Sequence, residues 1–195
     1  MFNFRKLSLI FFACAILGLS AGAAKADSFT FSGNFTHDND VQFFAFSIAG
    51  SSPVAVTLRT TSYATGGFDT VLSLFTKTGI LVEDNDDGTT PDADFGAGFF
   101  LPPGGYVLAL TQSDNFANGP TLADGFIFDG PGNEFFRGGF IDFNNSQRTS
   151  SWTVTIGNVT TAAAVPEPAT MLLLGTGLAG LLARARTETR SKKRR

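Results

Sequence analysis

Between residues 28 and 156 the chain alternates short apolar runs with polar, glycine-rich breaks. Residues 28–35 carry Phe29, Phe31 and Phe35 among polar neighbours. Residues 41–48 place Phe44, Phe46 and Ile48 on one face, and residues 54–58 do the same with Val54, Val56 and Leu58. A period of two is the signature of a strand with one buried face. Residues 71–75 and 80–83 flank Thr76-Lys77-Thr78-Gly79, a hairpin connection. Residues 99–101 run into Pro102-Pro103-Gly104-Gly105, where two prolines fix φ and withhold their N–H groups, so the chain must turn. Residues 106–111 read as another strand. Trp152, Val154 and Ile156 close the series in register. About eight short strands with turns between them predict an all-β, jelly-roll-like β-sandwich.

Residues 112–149 break this rhythm. They are rich in Gly, Asn, Asp and Phe, with short hairpins expected near 125–129 and 135–143. A long loop on a rigid β scaffold is often where binding happens. Its phenylalanines (Phe116, Phe126, Phe128, Phe135, Phe136, Phe140 and Phe143) are expected to pack it onto the sandwich, because apolar residues this dense rarely stay exposed.

The two ends follow a different logic. Arg5 and Lys6 precede an apolar stretch from residue 7 to 19, and Ala24-Lys25-Ala26 follows it with small residues at the two positions a signal peptidase reads. This is the layout of a secretory signal peptide, an N-terminal signal helix removed after Ala26. A membrane-anchor alternative suits it poorly, because the apolar run is short for a span. Cys14 lies inside that run without the small-residue context of a lipoprotein signal, and it is the chain's single cysteine. The mature protein therefore contains no disulfide, although its compartment would permit one.

At the other end, Pro166-Glu167-Pro168 is followed by an apolar segment over residues 171–182 and then by Arg184, Arg186, Arg190, Lys192, Lys193, Arg194 and Arg195. Basic residues after an apolar stretch stay on the cytoplasmic side, which leaves the middle of the chain facing outward. The segment is short for a permanent transmembrane helix but sufficient for a transient one, in the manner of anchoring signals whose tail is later removed. Residues 165–170, the apolar segment and the basic end together resemble the PEP-CTERM sorting signal. That resemblance implies an exosortase reading Pro166, Glu167 and Pro168, a membrane contact through the C-terminal helix before processing, and a role in exopolysaccharide or biofilm. The expected organisation is a signal peptide over 1–26, a β-sandwich over 27–161 and a sorting tail over 162–195. Localisation follows as export across the inner membrane, transient anchoring, then the cell surface or the extracellular space.

Charge sharpens the picture. The whole chain is at −3, but residues 27–165 hold fifteen Asp and Glu against four Lys and Arg, a net charge of −11. Nucleic acid is excluded as a partner, since it needs a basic surface; cations and neutral ligands such as sugars fit better. The one histidine, His37, falls in Thr36-His37-Asp38-Asn39-Asp40, a turn by composition, and no G-x-S-x-G, P-loop or dinucleotide fingerprint is present. A glycosidase could work with carboxylates alone, but no spacing singles out an acid–base pair. The sequence argues against an enzyme.

Residues 40–46, 68–75 (Phe68-Asp69-Thr70-Val71-Leu72-Ser73-Leu74-Phe75), 84–88 (Asp84-Asn85-Asp86-Asp87-Gly88) and 101–106 are similar, in that order, to bacterial pre-peptidase C-terminal domains. That resemblance implies a β-sandwich, and in some members binding of calcium or of polymeric substrates. Residues 83–94 concentrate six carboxylates in twelve positions. Calcium takes six to eight oxygen ligands from flexible loops, so Asp84, Asp86, Asp87, Asp92 and Asp94 are candidate ligands, with Asp38 and Asp40 as neighbours if their loop shares that end. The EF-hand spacing fails, because position 1 is Glu83, position 12 is Asp94, and the flanks read as strands. A solvated Asp/Asn/Gly turn explains the same residues without an ion. Asp69 is expected to be a turn residue hydrogen-bonded to backbone.

Overall fold

The computed structural model describes residues 26–129, 140–142 and 144–165. The expected signal helix and the C-terminal transmembrane helix lie outside these residues. The strands are β1 (Asp27–Asn34), β2 (Gln42–Ile48), β3 (Val54–Thr60), β4 (Thr70–Thr76), β5 (Leu81–Asn85), β6 (Phe99–Leu101), β7 (Gly104–Gln112), β8 (Phe140–Ile141), β9 (Gln147–Arg148), β10 (Ser151–Val159) and β11 (Thr161–Val165). Two antiparallel sheets carry the fold, in the orders β1-β10-β3-β6 and β11-β2-β7-β4-β5. Setting aside β11 and the small β8–β9 pair, eight strands remain. The first pairs with the last, the second with the seventh, the third with the sixth and the fourth with the fifth. One long hairpin rolled up in this way is a jelly roll, as the strand pattern predicts.

The alternation reads directly into the core. Phe44, Phe46 and Ile48 of β2, Leu72 and Leu74 of β4 and Leu108 and Leu110 of β7 face Val56 and Leu58 of β3 and Trp152, Val154 and Ile156 of β10 across one hydrophobic core. Phe44 is fully buried and meets Trp152 edge-on at 5.8 Å between ring centroids. Burying a side chain of this size contributes on the order of 2–3 kcal/mol. β1 supplies Phe29 and Phe31 from the same side, and Gly33 continues the series. A Cβ at Gly33 would stand 2.4 Å from the Trp152 ring, so glycine here makes room for the indole.

The hairpin between β4 and β5 closes with Gly79 at φ 83°, a left-handed position that its turn requires. Tyr106 donates a hydrogen bond to the Pro102 carbonyl at 2.8 Å and ties down the proline turn before β7.

Two features depart from the sequence reading. Residues 162–165, assigned by sequence to the tail, form most of β11 and pair residue by residue with β2, up to Val165 opposite Phe43. The Gln42 side-chain amide also donates to the Val165 carbonyl at 3.2 Å. The second feature is a cover on the outer face of the β2-β7-β4-β5 sheet. Residues 113–129 fold back over it, and Phe126 packs on Phe75 and Ala109 with Phe43 and Val107 beside them. The cover is tied within itself, where Asp124 accepts from the Thr121 N–H and hydroxyl and Asp129 accepts from Phe126 N–H, and to the β4–β5 turn, where Leu122 N–H donates to the Gly79 carbonyl. In place of a hairpin at 125–129, residues 117 and 126 make a single antiparallel bridge around a short 3-10 turn. Packing of the loop phenylalanines holds for Phe126 and Phe140, which are buried, while Phe116 and Phe128 are half-buried. Phe135, Phe136 and Phe143 lie outside the described residues.

Candidate functional site

The carboxylate run at 83–94 does not stay together. β5 alternates, so Asp84 falls opposite Ser73 of β4 while Asn85 falls opposite Leu72, which belongs to the sandwich core. Burial pushes the Asp84 carboxyl up, the facing Ser73 hydroxyl eases it back, and Glu83 adds to the rise. Asp87 is also raised, by burial first and then by Asp86. Asp92 turns the other way and is buried. Its Oδ1 accepts from the Tyr63 N–H at 3.0 Å and the Thr60 hydroxyl at 3.3 Å. Asp94 accepts from Gly96 N–H, and its own N–H donates to Asn85 Oδ1, both at 2.8 Å. Asp92 and Asp94 thus hold their loop against β3 and β5, while Asp86 and Asp87 both bring their charge to bear on Asp69. Among the described residues, no three carboxylates or imidazoles come together in a group able to hold one metal ion. Asp40 is likewise engaged locally, accepting from the Thr36 and His37 N–H groups in an exposed turn.

A different set of carboxylates gathers at the end of the outer sheet face. Asp69 directly precedes β4. Thr70, Leu72 and Leu74 point into the sandwich, so by alternation Asp69 points to the other side. It is 8% exposed, and its Oδ1 is shut off from solvent with no hydrogen-bond partner. The expectation of a turn residue bonded to backbone fails here. It is the Asp69 main-chain carbonyl that is engaged, accepting from Ser113 N–H at 2.9 Å, while the side chain is left alone. Burial pushes the Asp69 carboxyl up to about 7, and the charges of Asp87, Asp86, Asp114 and Asp142 push the same way.

Asp69 lines a cavity of about 260 Å³. Asp114 and Asp142 are the other carboxylates of its wall, and Phe68, Phe128 and Phe140 supply the apolar part. Phe68 and Phe140 stack with centroids 4.5 Å apart. Asp142 is held firmly. Its Oδ2 accepts from the Tyr63 hydroxyl at 2.6 Å, and its Oδ1 accepts from the N–H groups of Asn144 and Ser146. These bonds, the Tyr63 one foremost, hold its carboxyl below the usual range, and the same contact raises the Tyr63 hydroxyl. Arg148 at the cavity wall is committed elsewhere: it lies 3.7 Å over the Tyr63 ring, its Nε donates to the Gly67 carbonyl at 2.9 Å, and an Nη donates to the Tyr63 carbonyl. Sequence reading missed this cluster because its members come from residues 69, 86, 87, 114 and 142. Only the similarity around Asp69 and residues 84–88 touched it.

Of the residues tied to export, Ala26 is exposed just before β1. Ala24 and the motif residues Pro166, Glu167 and Pro168 lie outside the described residues. Residues 164–186 match the PEP-CTERM protein-sorting motif. No curated protein matches the chain. The chain is therefore an exported protein that carries an exosortase-type sorting signal, which implies a transient C-terminal membrane anchor before processing.

Proposed function

We propose that the mature domain is a structural or adhesive component of an extracellular, exopolysaccharide-rich matrix, released to it by exosortase processing after a signal peptidase has removed residues 1–26. The sorting motif at 164–186, joined without a spacer to the last strand of a rigid jelly roll, carries this reading. Burial of Phe126 supports it, since that aromatic acts as a packing group of the cover and not as an exposed binding surface. Replacing Pro166, Glu167 and Pro168 with alanine is expected to leave the protein in the membrane fraction, unprocessed and absent from the matrix. Unchanged release of the processed form would overturn the reading.

A second reading, a calcium- or carbohydrate-binding module, is favoured by one observation: the cavity beside the unpartnered Asp69.

A further inference from the structure

We propose that the cavity between the 113–115 turn and the β8–β9 pair is a binding site for a single cationic, hydroxylated organic unit, an amino sugar, with its ammonium on Asp69. The inference rests on the binding-module reading and adds the place, the ligand class and the recognising groups.

Three observations carry it. Asp69 is more than nine-tenths buried, lines the cavity, and has an Oδ1 without a partner. A buried polar group is ordinarily hydrogen-bonded, and a buried carboxylate is ordinarily paired with a positive group. Next, the described residues around it supply no such group. Asp87, Asp86, Asp114 and Asp142 add negative charge, and Arg148, the base of the described cavity wall, is already bound to Gly67 and Tyr63. Among the described residues no positive group meets this carboxyl, and a positive group carried by a ligand in the cavity would. Finally, the shape and lining select an organic cation. No metal-holding group of three carboxylates forms among the described residues, so the charges act across a space instead of converging on one point. About 260 Å³ corresponds to the liquid volume of roughly nine waters, room for one pyranose ring. Phe68, Phe128 and Phe140 offer such a ring an apolar wall, and the exposed Asp114 at the rim can accept from its hydroxyls. Asp142 contributes charge alone, because both of its oxygens are engaged. An acidic sugar is repelled by the same groups.

The test is calorimetric titration of the full chain in detergent with glucosamine, N-acetylglucosamine, glucuronate and calcium chloride separately, at about pH 7.5 and about pH 5. Glucosamine is expected to bind in the millimolar range or tighter at the higher pH, and about tenfold more weakly at the lower, where Asp69 takes up a proton. Glucuronate should give no heat and N-acetylglucosamine at least tenfold weaker binding. Asp69→Asn should abolish glucosamine binding without loss of thermal stability, while Asp94→Asn, outside the cavity lining, should leave it intact. Absence of glucosamine heat up to about 50 mM, well beyond that range, equal binding of glucuronate, or full binding by Asp69→Asn would overturn the proposal. Calcium heat that disappears in Asp69→Asn would also overturn it, by making the cavity an inorganic cation site. Processing at the sorting motif is read separately, so failure here leaves the matrix assignment standing and the reverse also holds.

Discussion

The two sheets share an inner core but have opposite outer faces. On the β1-β10-β3-β6 sheet the outward positions stay open to solvent and are mostly hydroxyls: Thr30 meets Thr155 across the β1–β10 pair, Arg59 lies beside them on β3, and Ala55 and the exposed Phe100 follow towards the β6 edge. Burial there alternates strictly, as in residues 151–156 of β10. On the other sheet β4 is buried at six consecutive positions, Thr70 to Phe75, because the 113–129 cover lies on its outer side. Two-faced burial of this kind is usual in sheets sandwiched between layers and unusual in a strand that could have faced water. The difference teaches that the inner face of this jelly roll is a matter of strand period, while its outer face is decided by a segment about forty residues further along the chain.

The comparison can be broken most directly in the two cores. Phe44→Ala, inside the sandwich, is expected to cost about 4 kcal/mol and Phe126→Ala, in the cover, about 3 kcal/mol, both read by denaturant unfolding. A cost below about 1 kcal/mol at Phe126 would reduce the cover to a loose appendage and remove the contrast. The next effect is electrical and falls at the end of the covered face. The Asp69 carboxyl is raised on folding from its ordinary value of 3.8 to about 7. The folded state therefore holds this proton more tightly, and the associated stability is present below about pH 4 and is lost as pH rises through about 7. Asp69→Asn removes that loss. Its stabilisation at about pH 8 should exceed that at about pH 5 by about 1–2 kcal/mol, seen as a higher Tm. A pH-independent effect would mean that Asp69 is already paired. The smallest change belongs to the open sheet: Thr155→Ala is expected to shift stability by no more than about 0.5 kcal/mol. A larger loss would imply that this face is covered too.

What could be read from the sequence follows the same division. Phe44, Phe46 and Ile48, or Trp152, Val154 and Ile156, announce their face because a strand's period is local. β11 did not announce itself. Ala162, Ala163 and Ala164 offer little apolar contrast, and their pairing with β2 spans more than a hundred residues. The 83–94 run read as one acidic loop because the carboxylates are neighbours in the chain. Strand alternation at Asp84 and the hydrogen bonds from Thr60 and Tyr63 to Asp92 pull them apart. Asp69, conversely, gains its character from burial under the fold and then from Asp87, Asp86, Asp114 and Asp142, a set that no local window contains.

β11 has a consequence for release. The sorting motif begins at residue 164, inside a strand that stays hydrogen-bonded through Val165. A peptide unit spans about 3.8 Å, so a cut next to Pro166 falls within a step or two of a finished sheet edge. Trimming there would leave the last strand in place, still paired with β2. Trimming only five residues earlier would strip that strand and leave the row of β2 amides and carbonyls open to another chain.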